Sequence, residues 1–379
     1  MNLLFSLSYY TPYISGLTLY VKRFAEALVG KKYHSTILTM QFADNLSLNE
    51  IINGVRVVRA KPLLKVSKGF LSIDWILKSW REVKKCDVVI INLPQPEGII
   101  PALFSSLLNK RLLVIYHCEV SLPKNFFNII IEGLMNVCHW LILVLAQSII
   151  TYTTDFADHS KFLRHFSHKL QSIYPPIELP KLDKRVQEMI MEKIGKKPDF
   201  IIGVAGRLAA EKGIEYLLEA IPMISEKRKK IDSFKIIVAG SLDPVGEENY
   251  KKKILDLVKK YQDSIVFLGE IKPEDMGAFY SLLDILVLPS INSTESFGMV
   301  QVEAMMMGVP VVATDLPGVR VPILQTGMGI VIPIKNSAAI SEAIGEILSN
   351  KKRYQKPKKE IRRLFSVDDT ILFYRKFIQ

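Results

Sequence analysis

Cysteine is scarce in this 379-residue chain, which holds only Cys86, Cys118 and Cys138. An odd, sparse set supplies no disulfide framework, which excludes a stapled secreted scaffold and favours a reducing compartment. The neighbours His117–Cys118 and Cys138–His139 lack the spacing of a zinc site, so no metal is expected. The opening MNLLFSLSYY has no basic n-region and no small-residue cleavage site. No signal peptide is evident, and the expected location is cytoplasmic. Asn45-Leu-Ser and Asn292-Ser-Thr fit the glycosylation pattern, which carries no weight without an export signal. A GxxxxGK[ST] P-loop and a GxGxxG dinucleotide fingerprint are both missing. So are an RNP-type aromatic pair on a strand and a basic recognition helix, and nucleic acid is not an expected partner. There is no fixed-period repeat and no low-complexity tract.

Acidic residues are also under-represented, with 38 Asp+Glu against 50 Lys+Arg and a net charge of +12. An excess of that sign attracts something anionic, whether nucleic acid, a lipid surface or a phosphorylated ligand. A chain with 49% hydrophobic and 23% charged residues has ample material for a core, which excludes wholesale disorder. Its length exceeds what one core usually serves, and two domains are expected.

In both halves, short β-branched runs alternate with helical patterns, which predicts parallel, doubly wound α/β sheets. The first half offers Leu3–Leu7, Thr36–Met40, Asp87–Ile91, Arg111–Tyr116 and Ser148–Tyr152 as strands. The second offers Phe200–Ala205, Phe234–Ala239, Ile265–Leu268, Ile285–Leu288, Val309–Ala313 and Ile330–Ile332. These runs are almost wholly apolar, as expected where helices cover both sheet faces. Pro175, Pro176 and Pro180 disfavour helix and strand interior alike and mark the boundary. Residues 1–175 and 176–365 are therefore read as the two domains.

Three segments bear on the unassigned charge. Phe126–Ala146 is long and apolar enough to raise the question of a membrane span. Its polar members Asn128, Glu132, Asn136 and His139 fall on one helical stripe, and a span would bury Glu132. A core helix or one touching lipid avoids that cost. The stretch from Lys61 to Phe70 mixes apolar and basic residues and reads as a loop, so an anionic membrane surface is a candidate partner. Residues 351–363 hold eight Lys/Arg against Glu360 alone, which reads as a solvated helix face.

Four segments carry chemistry. Glu295-Ser296-Phe297-Gly298-Met299 follows an expected strand and opens a helix that reaches Met307, with Glu303 near the second turn. Helix N-termini present unpaired N–H groups to phosphate. Two acids there suit sugar hydroxyls, although a capping acid and a solvated helix acid would look the same. Arg207 and Lys212 lie just beyond the strand ending at Ala205, where ligands bind in open α/β sheets, and two cations suit a diphosphate. Either one, taken singly, reads equally as a surface ion-pair partner. Gly16 sits at the strand-to-helix turn before a helix whose buried face is Leu17, Tyr20, Val21, Phe24 and Leu28. Gly16 can bring its amide against a phosphate or simply serve turn geometry. His117 ends the run Arg111–Tyr116, as a site residue or as a satisfied structural one.

Ser15-Gly16, His117, Gly206-Arg207 with Glu211-Lys212-Gly213, and Glu295…Glu303 with seven residues between occur in this order. Together they resemble glycosyltransferase family 4, nearly end to end. Gly308-Val-Pro-Val-Val-Ala-Thr resembles the family's next strand, and Phe365-Ser-Val-Asp-Asp the segment before its last helix. The resemblance implies a GT-B fold of two Rossmann-like domains facing a central cleft, with the helix in 366–379 crossing back to the first. It further implies retaining, metal-independent transfer of a sugar from a nucleotide-diphosphate donor, with no other cofactor. The acceptor would be a hydroxyl on a glycan or a lipid-linked molecule. By position, Glu303 would bind the ribose, and Glu295 with the amides of Phe297, Gly298 and Met299 would hold the donor sugar. Ser296 lies among them. Arg207 and Lys212 would neutralise the diphosphate, Gly16 would add an amide from across the cleft, and His117 would contact the sugar near the reaction centre. The base would lie against Gly269, Glu270 and Ile271.

Two departures stand out. The family often has Asn-Gly where this chain has Pro175-Pro176, and often an acid after the Gly matching Gly318, where this chain has Val319-Arg320. Chemistry of this kind needs preorganised cations and amides against charge growing on the diphosphate, and closure of the domains to exclude water. The leaving phosphate itself would take the acceptor proton. A GT-B epimerase or phosphorylase and a non-catalytic nucleotide-sugar-binding subunit fit the same residues. The first would turn over donor with no acceptor, and the last would bind without turnover.

Overall fold

The computed structural model describes all residues except 67–68, 123–125, 228–232, 243–247 and 379. The chain divides into two units, Met1–Pro176 with Ser366–Gln379, and Ile177–Phe365. Strands of the first unit are β1 (Asn2–Ser6), β2 (His34–Met40), β3 (Asn49–Ile52), β4 (Val55–Ala60), β5 (Leu64–Val66), β6 (Gly69–Leu71), β7 (Val88–Leu93), β8 (Arg111–Tyr116), β9 (Ser148–Thr151) and β10 (Leu170–Ser172). Its sheet runs β10-β9-β8-β7-β1-β2-β4-β3, parallel except for the edge pair β3–β4. Helices α1 (Gly16–Ala27), α2 (Ile73–Lys85), α3 (Ile99–Leu107), α4 (Phe126–Leu145) and α5 (Thr154–His159) connect the strands. Every residue of β7, Val-Val-Ile-Ile-Asn-Leu, is buried, which is why its sequence shows no alternation.

Two hairpins of this unit differ from the sequence expectation. Strands β3 and β4 form an antiparallel hairpin over Asn53-Gly54, both at positive φ (49° and 81°), as a two-residue hairpin turn demands. Strand β3 is an edge strand with alternating exposure, so it lacks the continuous apolar run by which the others were found. The stretch from Lys61 to Phe70 is not a loop, since β5 and β6 pair as a second small hairpin. Of that stretch, 67–68 lie outside the described residues.

The second unit holds β11 (Phe200–Ala205), β12 (Phe234–Ala239), β13 (Ile265–Gly269), β14 (Ile285–Leu288), β15 (Val311–Thr314) and β16 (Gly329–Ile332) in the order β13-β12-β11-β14-β15-β16, all parallel. Its helices are α6 (Lys184–Ile194), α7 (Ile214–Lys227), α8 (Glu248–Lys260), α9 (Met276–Ser281), α10 (Met299–Met307), α11 (Val321–Thr326), α12 (Ser337–Ser349) and α13 (Lys358–Leu364). The basic stretch 351–363 is not one helix face. It is a 3-10 turn at Lys351–Tyr354 and then α13, separated at Pro357, with Lys351 held by Asp284 at 2.7 Å.

The last helix, α14 (Val367–Ile378), packs in the first unit. Tyr374 and Tyr20 meet hydroxyl to hydroxyl, Thr370 donates to the Tyr174 carbonyl at 3.0 Å, and Arg111 donates to the Ile378 carbonyl at 2.8 Å. The α1 face expected to be buried is buried at Tyr20, Val21, Phe24 and Leu28, while Leu17 is half-buried.

Candidate functional site

In the second unit, β11 lies between β12 and β14, and the chain winds in opposite senses on its two sides. At such a switch point the loops leaving adjacent strands diverge and open a crevice beyond the strand ends. The loop after β11 carries Arg207 and Lys212, and the loop after β14 carries Glu295. The structure brings them together: Lys212 Nζ donates to Glu295 Oε2 at 2.6 Å, both side chains being only partly exposed. Ile291 N–H donates to the Glu211 carbonyl at 3.0 Å and ties the loops at their backbones. Arg207 pairs with Glu211 at 2.5 Å. Two cations and two carboxylates therefore share one strand-end crevice, each cation positioned by an acid.

Helix α10 begins here. Gly298 is its N-cap at φ 74°, and a Cβ on it would stand 2.4 Å from the Leu288 side chain, so backbone and strand can meet this closely only at glycine. The first N–H groups of α10 lack intrahelical acceptors and face outward from its start. Gln301 was not singled out by sequence. Fully buried, it donates to the carbonyls of Phe297 (2.5 Å) and Val319 (2.9 Å), bracing the Glu295–Met299 loop against the one that follows β15. Arg320, standing where an acid was looked for, pairs with Asp315 at 3.0 Å. Ser296 and Phe297 are buried, and Glu303, on the second turn, is 5% exposed. Its Oε2 accepts from the buried Tyr280 hydroxyl at 2.8 Å. Tyr280 comes from α9, outside every motif, and no sequence signal pointed to it.

Gly269, Glu270 and Ile271 end β13 and continue the same edge, with Glu270 exposed. A further residue, Gly240, links them to the Arg207 loop. Its N–H donates to the Gly269 carbonyl at 2.9 Å, while Gly206 N–H donates to Ala239 at 2.8 Å. A Cβ on Gly240 (φ +153°) would lie 2.0 Å from the Gly206 carbonyl oxygen. A glycine directly after a strand was the available signal.

Gly16 and His117 belong to the first unit, Gly16 at the start of α1 after the loop that leaves β1 and His117 directly after β8. Gly16 is the first residue of α1, capped by Ser15, whose hydroxyl accepts from Thr18 N–H while Thr18 accepts from Ser15 N–H. At that position the Gly16 amide has no intrahelical acceptor. His117 is buried, and both ring nitrogens are engaged, Nδ1 with the Tyr152 hydroxyl and Nε2 with Asn92 Oδ1 at 2.9 Å. The Asn92 amide donates to the Ser6 carbonyl at 3.1 Å, so its oxygen must accept, which assigns the proton to His117 Nε2. Burial pushes the imidazole pKa down to about 3. His139 on α4, also buried, is pushed down to about 4 for the same reason.

Both histidines are thus neutral in the fold and protonate near their ordinary value of about 6.5 when unfolded. From pH 6.5 down to 4 the unfolded chain binds more protons, so stability is present above 6.5 and falls by about 1.4 kcal/mol per pH unit for each residue. Trp75, Trp80 and Trp140 all lie in this unit, and their fluorescence follows its unfolding. The urea midpoint should be lower at pH 5 than at pH 7, with the difference reduced in His139→Gln. Equal midpoints would contradict neutral burial.

The profile of the glycosyl transferases group 1 family matches residues 186–364, within the second unit. A lipopolysaccharide 1,2-N-acetylglucosaminetransferase of Salmonella typhimurium is 34% identical over 169 residues, 43% of this chain and 42% of that protein. The chain thus matches less than half of that relative's length. An uncharacterized glycosyltransferase of Methanocaldococcus jannaschii is 25% identical over 97% of this chain and 95% of its own. Among solved structures, Anabaena HepE in complex with UDP and glucose superposes with a TM-score of 0.78 at 18% identity, covering 99% and 98% of the two chains. The two Rossmann-like units are those of the GT-B fold. Fold, profile and relatives together support a GT-B glycosyltransferase.

Proposed function

We propose that this protein is a retaining, metal-independent glycosyltransferase of family 4. It transfers a hexose-type sugar from a nucleotide-diphosphate donor to a hydroxyl of a glycan or lipid-linked acceptor, on the cytoplasmic side. The observation that carries the reading is the Lys212–Glu295 contact at the switch point, at the mouth of helix α10. An ammonium has three N–H donors, so Lys212 can keep Glu295 in place and still reach a phosphate oxygen. Arg207 supplies the second cation, with a planar fork suited to phosphate. The amides of Phe297 to Met299 add the positive end of α10. Glu295 accepts from sugar hydroxyls, Glu303 from the ribose, and the base rests on the backbone at Gly269–Ile271. Gly16 and His117 keep the roles that the family resemblance gives them. For His117 the role is contact without proton exchange, since its ring stays neutral. The nucleotide held by HepE and the lipopolysaccharide acceptor of the Salmonella relative agree in chemistry with this donor and acceptor.

In the transfer, the bond from the anomeric carbon to the diphosphate oxygen breaks, and the acceptor oxygen bonds to that carbon on the same face. The acceptor proton passes to the leaving phosphate oxygen. Negative charge grows on the diphosphate, where Lys212, Arg207 and the α10 amides stand. A thermal-shift screen against UDP-, GDP- and ADP-sugars tests the reading without knowledge of the acceptor. One donor class at about 100 times its Kd should stabilise the protein by about 2.7 kcal/mol. A flat result with all three overturns it. NMR of the product's anomeric centre tests retention, and a donor isomerised without acceptor would instead indicate an epimerase.

A further inference from the structure

Helix α4 is apolar on its exposed face as well as on its buried one. Phe126, Ile130, Leu134, Val137, Leu141 and Val144 recur at helical spacing on one stripe, and every one is exposed, Phe126 at 74% and Leu134 at 64%. The stripe of Asn128, Glu132, Asn136 and His139 faces the other way, the first three half-buried and His139 buried. A helix covering a sheet in water normally turns polar residues outward. The apolar surface does not end at α4. Helix α3, which packs on both α4 and α2, exposes Leu103 and Leu107, and α2 exposes Ile73, Leu77 and Trp80. Trp80 rests against Phe104 of α3 with ring centroids 5.1 Å apart. A contiguous patch across three helices exceeds what a soluble surface carries without a partner.

We propose that this face of the first unit docks on an anionic phospholipid bilayer, with α4 lying in the plane of the interface. Charge at the rim of the patch selects that partner. The exposed face of α2 ends in Arg81 and Lys84, the latter's ammonium 5.8 Å from the Trp80 ring centroid. Beside the start of α2, Lys61 is exposed ahead of the β5–β6 hairpin, which exposes Lys65 next to Leu64 and Leu71. The two acids of this stretch are already paired, Asp74 with Lys78 at 2.8 Å and Glu82 with Arg56 at 2.5 Å. An apolar face with a cationic rim and interfacial tryptophans is complementary to an anionic headgroup layer. A second copy of the chain would bring the same positive rim against itself.

By length and composition alone α4 could cross a membrane. Its place in the fold opposes this, because it is the crossover between the parallel neighbours β8 and β9. Ile142 and Leu143 sit in the core, and Lys169 Nζ holds the carbonyls of Val144 and Ala146 at 3.0 and 2.8 Å. A span would strip those contacts and carry Glu132 into hydrocarbon.

The inference is independent of sugar transfer, and so is its test. The full chain is floated with vesicles of phosphatidylcholine alone or with about one part in three phosphatidylglycerol. It should float with the anionic vesicles at low salt, with a blue shift in tryptophan emission from the exposed Trp80 and Trp140. Ile130→Asp with Leu134→Asp should abolish flotation. Arg81→Glu with Lys84→Glu should weaken it about tenfold or more. The second pair, on exposed positions, keeps the test valid if the first fails to fold. A chain that stays at the bottom with both vesicle types overturns the proposal. Equal binding to neutral vesicles overturns the headgroup assignment. A dimer lost in Ile130→Asp with Leu134→Asp would assign the face to a second copy, and resistance to alkaline carbonate would make α4 a span.

Discussion

Lys212→Ala should lower kcat/KM for sugar transfer by about 10²–10³, the effect of removing one donor aimed at developing charge in an enclosed site. Two losses combine. The diphosphate loses a cation as the anomeric bond lengthens, and Glu295 loses the ammonium that holds it at 2.6 Å. The carboxylate is then left beside an anionic ligand with nothing between them, so donor binding should weaken along with turnover. Lys212→Arg should recover part of the rate, because charge is restored while the geometry of a compact ammonium is not. A loss of stability should accompany Lys212→Ala, because removing Lys212 leaves the Glu295 carboxylate, only 15% exposed, without its ammonium. Steady-state kinetics with a thermal melt separates these outcomes. Near-normal turnover in Lys212→Ala would remove the diphosphate assignment for this loop.

The loops bearing Lys212 and Glu295 were legible because strand, turn and helix signals sit next to the chemistry. Phe200–Ala205 and Ile285–Leu288 formed as read, since buried parallel strands have little sequence freedom. The supports of the site were not legible. Tyr280 reaches Glu303 from another helix, and Gly240 meets the Arg207 loop only because β11 and β12 are neighbours. Such contacts arise from tertiary packing and leave no local pattern. Gln301 lies in the helix that the Glu295–Met299 segment opens, yet nothing in its neighbours marks it as a brace rather than a solvated helix residue. The Asn53-Gly54 hairpin, by contrast, had a readable turn signal, missed because β3 is an exposed edge strand. Helix α4 shows a different limit. Periodicity located its polar stripe, but which stripe faces the protein depends on what lies beneath, and here the polar stripe lies on the inward side.

Glu303→Ala should be less damaging than Lys212→Ala and carry a different signature. Tyr280 fixes one carboxylate oxygen of Glu303 at 2.8 Å, which on the proposed reading leaves the other for the ribose. A charged acceptor bonded to a hydroxyl contributes about 1.5–3 kcal/mol, so kcat/KM should fall by about 10–100-fold, chiefly through KM for the donor. The decisive readout is discrimination. The parent protein should prefer a ribonucleotide donor to its deoxyribose analogue by a similar factor, and Glu303→Ala should lose that preference. Glu303→Gln should keep part of it, because the amide oxygen still accepts. Tyr280→Phe should lie between, leaving the carboxylate charged but less well aimed. Glu303→Ala also leaves the Tyr280 hydroxyl without this acceptor in a buried place, at about 1–3 kcal/mol of stability, so a modest drop in Tm is expected. Equal use of both donors by the parent protein, or undiminished discrimination in Glu303→Ala, would remove Glu303 from the ribose and leave it a structural partner of Tyr280.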